Sequence, residues 1–197
     1  MYTAKDVQNL RQRTGAGMME CKKALEEMSG DVEKAVEHLR KKGIAKAEKR
    51  VGKQTSEGQI VSYIHHNGKV GVLVELNCET DFVARTEDFK ELAREVALHI
   101  ASAAPVSVDK DGVPQELVER ERRIFEEQAR ASGKPEAVIA KMVEGKVESY
   151  YKEAALLYQP YVREPKKTIS DLLKEVSAKV GENIQVRRFT RYQMGEE

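Results

Sequence analysis

A chain of 197 residues with 40% hydrophobic and 34% charged positions is long enough to bury about 70% of its unfolded surface, in one or two domains. Lys and Arg number 34 against 33 Asp and Glu, a net charge of +1, so no global field draws the chain to nucleic acid or an anionic membrane. No apolar run is long enough to span a bilayer, and the first residues lack the apolar core of a secretory signal. Cys21 and Cys78 stand far apart without CxxC spacing, which points to reduced thiols in a cytoplasm.

From the N-terminus, Thr3 with Asp6 three residues on forms a capping box, and Val7 and Leu10 give the first helix its inner face. Thr14-Gly15-Ala16-Gly17 breaks it. A second helix, Met18 to Met28, places Met18, Cys21, Leu25 and Met28 inward. Asp31 caps a third, with Val32, Ala35, Val36 and Leu39 inward, Lys41 and Lys42 in its last turn and Gly43 as its stop. Three short helices over residues 1–50 predict a small bundle of the ubiquitin-associated type. Met19 is surplus to the inward stripe and is a candidate for gripping a partner protein. Residues 51–58 lose apolar periodicity and read as a basic linker.

The remainder, 59–197, switches period. Residues 59–65 alternate, Asn67-Gly68 signals a two-residue hairpin, and Lys69 to Cys78 is the return strand, with Val70, Val72, Val74, Leu76 and Cys78 on one face. Alternation fails at Glu79-Thr80-Asp81. Phe82 follows in a short connection before a helix from about Glu87 to Ala103, whose Phe89, Leu92, Ala93, Val96, Ala97 and Ile100 repeat at i, i+3, i+4. A phenylalanine at such a tip is either folded back as a plug or presented to a partner, and the acid before it favours presentation. Helices at Gln115–Ala131 and Pro135–Tyr151 carry narrow stripes (Leu117, Val118, Ile124, Phe125; Val138, Ile139, Met142, Val143) and predict an antiparallel helical hairpin over residues 115–151. Leu156 to Val162 is an apolar segment for the hairpin's base. Thr168 opens a last helix with Ile169, Leu172, Leu173, Val176 and Val180 inward, ended by Gly181. Ile184 to Tyr192 alternates as a third strand. The elements define an α+β class: a three-helix bundle, then a three-stranded antiparallel sheet covered by helices, with a projecting hairpin.

Chemistry is sparse. His65 and His66, as strand neighbours, face opposite ways and do not share a metal. Cys78 falls on the apolar strand face, where a thiol is inert. There is no phosphate-binding Gly loop and no GxSxG elbow. Arg187, Arg188 and Arg191 could contact RNA, but neutral charge favours cross-strand ion pairing, for instance to Glu75. These features argue against an enzyme.

Two blocks are more specific than the rest. Thr14-Gly15-Ala16-Gly17-Met18-Met19-Glu20-Cys21-Lys22-Lys23-Ala24-Leu25 and Glu75-Leu76-Asn77-Cys78-Glu79-Thr80-Asp81-Phe82-Val83-Ala84 both resemble the translation elongation factor Ts family. Val180-Gly181-Glu182-Asn183-Ile184 to Phe189 looks like a third block, so the resemblance runs through essentially the whole chain. It implies a guanine-nucleotide exchange factor for elongation factor Tu, with no cofactor of its own. Thr80, Asp81, Phe82 and Val83 would act near the partner's bound magnesium, Asp81 and Phe82 entering between two of its helices. Arg11, Met18 and Met19 would dock the bundle, and His65 or His66 would also face the partner. Longer members of the family carry a duplicated core; this chain has one, which implies a homodimer.

Overall fold

The computed structural model describes residues 2–196; Met1 and Glu197, the outer ends of the two expected domains, lie outside the described residues. Its N-terminal third follows from local capping. Thr3 Oγ1 accepts the Asp6 N–H at 3.3 Å, and the Asp6 carboxylate accepts the Thr3 N–H at 2.7 Å, so α1 (Ala4–Thr14) starts with two orphan donors satisfied. Gly15, at φ 68°, takes the left-handed conformation that ends it. After α2 (Met18–Glu27), Asp31 accepts the Lys34 N–H at 3.1 Å and opens α3 (Val32–Glu48). Val7, Leu10, Cys21, Ala24, Leu25, Ala35 and Leu39 close over one another as the bundle's own core.

Gly43 does not stop α3, which continues to Glu48. A Cβ at Gly43 would lie 2.9 Å from Cβ of Ala178, in α8 (Ile169–Val180), so the glycine is there for close helix approach. Around that contact Lys174 pairs with Glu48 at 3.2 Å, and Arg40 pairs with Glu175.

The strands are β1 (Glu57–Ile64), β2 (Val70–Cys78) and β5 (Gln185–Gln193), in the order β1-β2-β5. Val72, Val74, Leu76 and Cys78 are all buried, as the alternation predicts. The turn is wider than two residues: Gly68 donates to the His65 carbonyl at 2.8 Å, and the Lys69 N–H is taken by Asn67 Oδ1 at 3.0 Å. On the opposite face of β2, Leu73 is 50% exposed. Ile64, 67% exposed, shares that face, since its Cδ1 lies 3.1 Å from where a Gly71 Cβ would stand. The six apolar residues expected inward on α5 (Glu87–Ala103) are all buried.

Two compact units divide the chain. One takes the chain through Ile60 with Glu75–Ala93 and Asp171–Val186; the other takes Val61–Val74, Arg94–Ser170 and the chain from Arg187 onward. In the second, α6 (Gln115–Arg130) and α7 (Glu136–Ala154) pack as the expected hairpin. Its core is Val118, Ala129, Ile139, Val143 and Val147. Ile124 and Val138, expected inward, are exposed: Ile139, Val143 and Val147 form one i+4 row, and Val138 lies a hundred degrees round from it. Lys110 ties the base, with Nζ 2.6 Å from Glu148 and 4.7 Å above the Tyr158 ring. A short antiparallel pair, β3 (Pro160–Tyr161) with β4 (Glu164–Thr168), begins within the apolar segment Leu156–Val162 and extends past it. Beside it His99 is fully buried, Nε2 2.9 Å from Gln159 Oε1 and Nδ1 accepting the Val162 N–H at 3.3 Å. Burial holds its imidazole pKa below the ordinary histidine value, against the opposing pull of the Gln159 bond.

Gly43→Ala sets helix propensity, a gain of about 0.5–1 kcal/mol, against overpacking that typically costs about 1–3 kcal/mol. Alanine is therefore expected to destabilise by about 1 kcal/mol in urea unfolding, and Ala178→Gly in the same chain to restore part of the loss. A neutral or stabilising Gly43→Ala would show that α3 and α8 separate without cost.

Candidate functional site

The site begins where β2 ends, at Cys78. After Cys78 the chain turns, and Thr80, in extended conformation, caps a single helical turn, α4 (Asp81–Ala84), its Oγ1 accepting the Val83 N–H at 3.5 Å. Ala84 and Arg85 donate back to the carbonyls of Thr80 and Asp81 at 3.3 and 3.2 Å, and Thr86 Oγ1 accepts the Phe89 N–H to start α5. Val83 and Ala84 are buried and root the turn. Phe82 points the other way and is 78% exposed. The plug alternative is thereby excluded: the ring has no core of its own. Asp81 is half-exposed beside it, its carboxylate 2.8 Å from Arg85 Nη2.

Beneath the turn the polar groups are closely paired. Glu79 accepts Arg50 Nε and Nη2, both at 3.0 Å, and the Asn183 N–H at 2.7 Å. Glu182 accepts the N–H groups of Glu79 and Thr80 at 3.1 and 3.0 Å, and the Thr80 hydroxyl at 2.6 Å. Asn183 Nδ2 donates to the Lys53 carbonyl at 3.0 Å. The Arg50 guanidinium first, and then the Asn183 N–H, hold the Glu79 carboxyl down to about 2. Cys78 donates its thiol proton to the Thr80 carbonyl at 3.1 Å, and burial pushes its pKa up to about 11, so it is not a poised nucleophile.

Met18 and Met19 are the first two residues of α2, immediately after Gly17, and Arg11 is exposed on α1. Met19 is 74% exposed. Met18, expected inward, is 47% exposed: at the first helical position it overhangs the edge of the bundle core. All three belong to the same compact unit as Thr80 to Val83; His65 and His66 belong to the other. The two histidines lie past the end of β1, in the turn, so strand alternation does not separate them as expected, and their rings stand 4.2 Å apart. His65 is half-buried with Nδ1 3.0 Å from the Tyr63 hydroxyl, and His66 is exposed. Among the described residues no group of three or more His, Cys, Asp or Glu could hold a metal, and no helix is long and apolar enough to cross a membrane. Arg191, a candidate RNA contact, is engaged internally: it pairs with Glu196 at 2.8 Å and donates to the Ala101 carbonyl. The sequence reading singled out neither Arg50 nor Glu182 for the site. Glu182 stood within the third block, and only its chain neighbours gave a signal.

The bundle thus carries an exposed methionine pair, and the capped turn presents an exposed phenylalanine. The profile of the family described as Elongation factor TS matches residues 3–196. Proteins named Elongation factor Ts are similar over nearly the whole length. That of Fervidobacterium nodosum is 56% identical, covering 98% of each chain. That of Thermosipho melanesiensis is 55% identical, covering 100% of each, and that of Coprothermobacter proteolyticus is 58% identical, covering 96% of each. The chain belongs to the elongation factor Ts family.

Glu79 gives a pH test. Its folded pKa lies below the ordinary value of 4.5, so its stabilisation is present above about pH 4.5 and is lost as pH falls towards 2. Thermal unfolding measured from pH 5 to pH 2.5 is expected to fall less steeply in Glu79→Gln than in the parent chain. Parallel curves would show that the Arg50–Glu79 pair contributes no pH-dependent stability.

Proposed function

We propose that the chain is a guanine-nucleotide exchange factor for elongation factor Tu in translation elongation, acting in the cytoplasm through binding and not through covalent chemistry. Phe82, with Asp81, is the wedge. It enters the partner's nucleotide domain between two helices, near the bound magnesium, and the displaced helices loosen metal and phosphates so that GDP leaves. The observation that carries this reading is Phe82 itself: a large apolar side chain held in water on a turn whose backbone is fixed at both ends.

Exchange requires that the factor bind the empty partner more tightly than the nucleotide-bound one, and coupling is reciprocal. A ten-thousandfold effect corresponds to about 5.5 kcal/mol of differential binding. Burying one phenylalanine supplies about 1.5–3 kcal/mol, so the wedge needs a docking surface beside it. Arg11, Met18 and Met19 on the bundle supply part of that surface, with the bundle (residues 1–50) acting as a docking arm, and His65 or His66 extends it. No direct contact with nucleic acid or membrane is required.

Phe82→Ala is expected to leave the melting temperature within a degree or two while lowering catalysed GDP release from elongation factor Tu by at least tenfold. Truncating a central anchor typically costs about 2–4 kcal/mol of binding, here to the nucleotide-free state. Asp81→Asn keeps the shape and should do less harm. A large drop in melting temperature, or normal release by Phe82→Ala, would refute the wedge.

The chain also works, in this reading, as a homodimer. Ile64 and Leu73 leave an apolar patch on the face of β2 turned away from Val72 and Val74, and a second copy of the same strands would cover it. Sedimentation at micromolar concentration should give a dimer mass, and Ile64→Lys with Leu73→Lys a monomer. A monomer mass for the parent chain would sink the idea.

A further inference from the structure

Every polar atom of Thr80 is committed. Its N–H and its hydroxyl proton go to Glu182; its hydroxyl oxygen accepts from Val83; its carbonyl accepts the Cys78 thiol and the Ala84 N–H. The hydroxyl has one proton, and Glu182 takes it, so the lone pairs that remain are turned to the Val83 N–H. That bond is the cap of α4. Glu182 therefore acts on the turn through Thr80 and not by touching a partner.

The bonding is reciprocal across 102 to 104 residues of chain. Glu182 takes the backbone N–H groups of Glu79 and Thr80, and Glu79 takes the backbone N–H of Asn183. Neither segment can slide without stranding charged acceptors and main-chain donors together. Arg50 closes the other side of Glu79, and Lys53 is held by Asn183, so the segment following α3 is joined to the same lattice.

We propose that Glu182 is a positioning residue for Phe82. By clamping Glu79 and Thr80 it fixes the direction in which α4 presents the wedge, and Arg50, through Glu79, steadies the clamp. This inference rests on the wedge reading of Phe82 given above. It assigns Glu182 no contact with elongation factor Tu and no share in folding that an equally shaped acceptor could not replace.

The test uses the full-length protein in three single variants and one double: Phe82→Ala, Glu182→Ala, Glu182→Gln, and Phe82→Ala with Glu182→Ala. Glutamine can turn its oxygen to the two N–H groups and its amide to Thr80 Oγ1, so it keeps most of the clamp. Release of labelled GDP from elongation factor Tu is measured across factor concentration, and amide hydrogen exchange at Glu79 and Thr80 is measured in the free factor. Glu182→Ala should lower the maximal release rate about tenfold, with the half-saturating concentration unchanged within twofold. Glu182→Gln should stay within about threefold of the parent rate. The double variant should be no more than twofold slower than Phe82→Ala alone, because an absent wedge no longer needs aiming. Amide protection at Glu79 and Thr80 should fall in Glu182→Ala and survive in Glu182→Gln.

A parent-like rate for Glu182→Ala beside a slow Phe82→Ala overturns the positioning role and leaves the wedge standing. So does a Glu182→Gln protein as slow as Glu182→Ala, or protection that Glu182→Ala does not change. A parent-like Phe82→Ala overturns the wedge reading, and the positioning role with it, whatever the amide exchange shows. Should Glu182→Ala fail to fold, Glu182→Asp, one methylene short of its donors, takes its place with the same expected and overturning results.

Discussion

An exposed phenylalanine cannot be held in place by its own burial, and the site is arranged around that constraint. Elsewhere in the chain large apolar side chains fix their elements by packing, as Phe89, Leu92 and Ile100 do for α5. At Phe82 that source of order is missing. The direction of the ring depends instead on two small buried neighbours, Val83 and Ala84, and on charge-assisted hydrogen bonds between backbone donors and the carboxylates of Glu79 and Glu182. Bonds of that kind are directional in a way that apolar contact is not. They can orient a short turn while leaving its outer surface free.

The same constraint accounts for where the acids stand. Glu79 is largely shielded and answers a guanidinium, so its charge is matched within the chain. Asp81 stands on the outer side of the turn beside the exposed Arg85, in an i,i+4 pair of a kind that contributes a few tenths of a kcal/mol at most. Two residues apart, one acid is structural and the other is available. In a docking event Arg85 gives up little by releasing Asp81, whereas releasing Glu79 would unfasten Arg50, Asn183 and the cap above them.

Much of this architecture was legible in the residues themselves. The period-2 row from Val70 to Cys78, the i, i+3, i+4 row from Phe89 to Ile100, the Thr3–Asp6 box and the Asp31 cap are local patterns that local physics decodes, and each element formed where its pattern lay. So did the failure of alternation at Glu79 that marks the turn. What could not be read was set by partners remote in sequence. Gly43 looks like a helix stop until Ala178 is brought against it. Met18 fits the inward stripe, yet the bundle core ends before reaching it. The β3–β4 pair is too short, and too interrupted by Pro160 and Pro165, to show alternation. Above all, the Glu182 bonds run from a side chain to main-chain donors, and a backbone N–H carries no sequence signature at either end.

The two apolar features offered to a partner differ in stiffness, and the difference matches what each has to do under the proposed function. Met18 and Met19 are unbranched side chains at the start of a helix, able to repack against surfaces of slightly different shape, though each loses up to about 1.5–2 kcal/mol of rotamer freedom when ordered. A docking surface that must hold the partner both before and after nucleotide loss needs that tolerance, because a contact equal in the two states shifts neither. Phe82 is the opposite case. It has two side-chain torsions, its backbone lies within a capped turn, and it meets a partner with little left to order. A rigid group discriminates between two shapes of its target because it cannot adapt to both. Under that function Phe82, aimed by the lattice beneath it, supplies one part of the differential binding. The rest has to come from docking contacts that strengthen once the nucleotide has left, and the methionines hold the partner through both states.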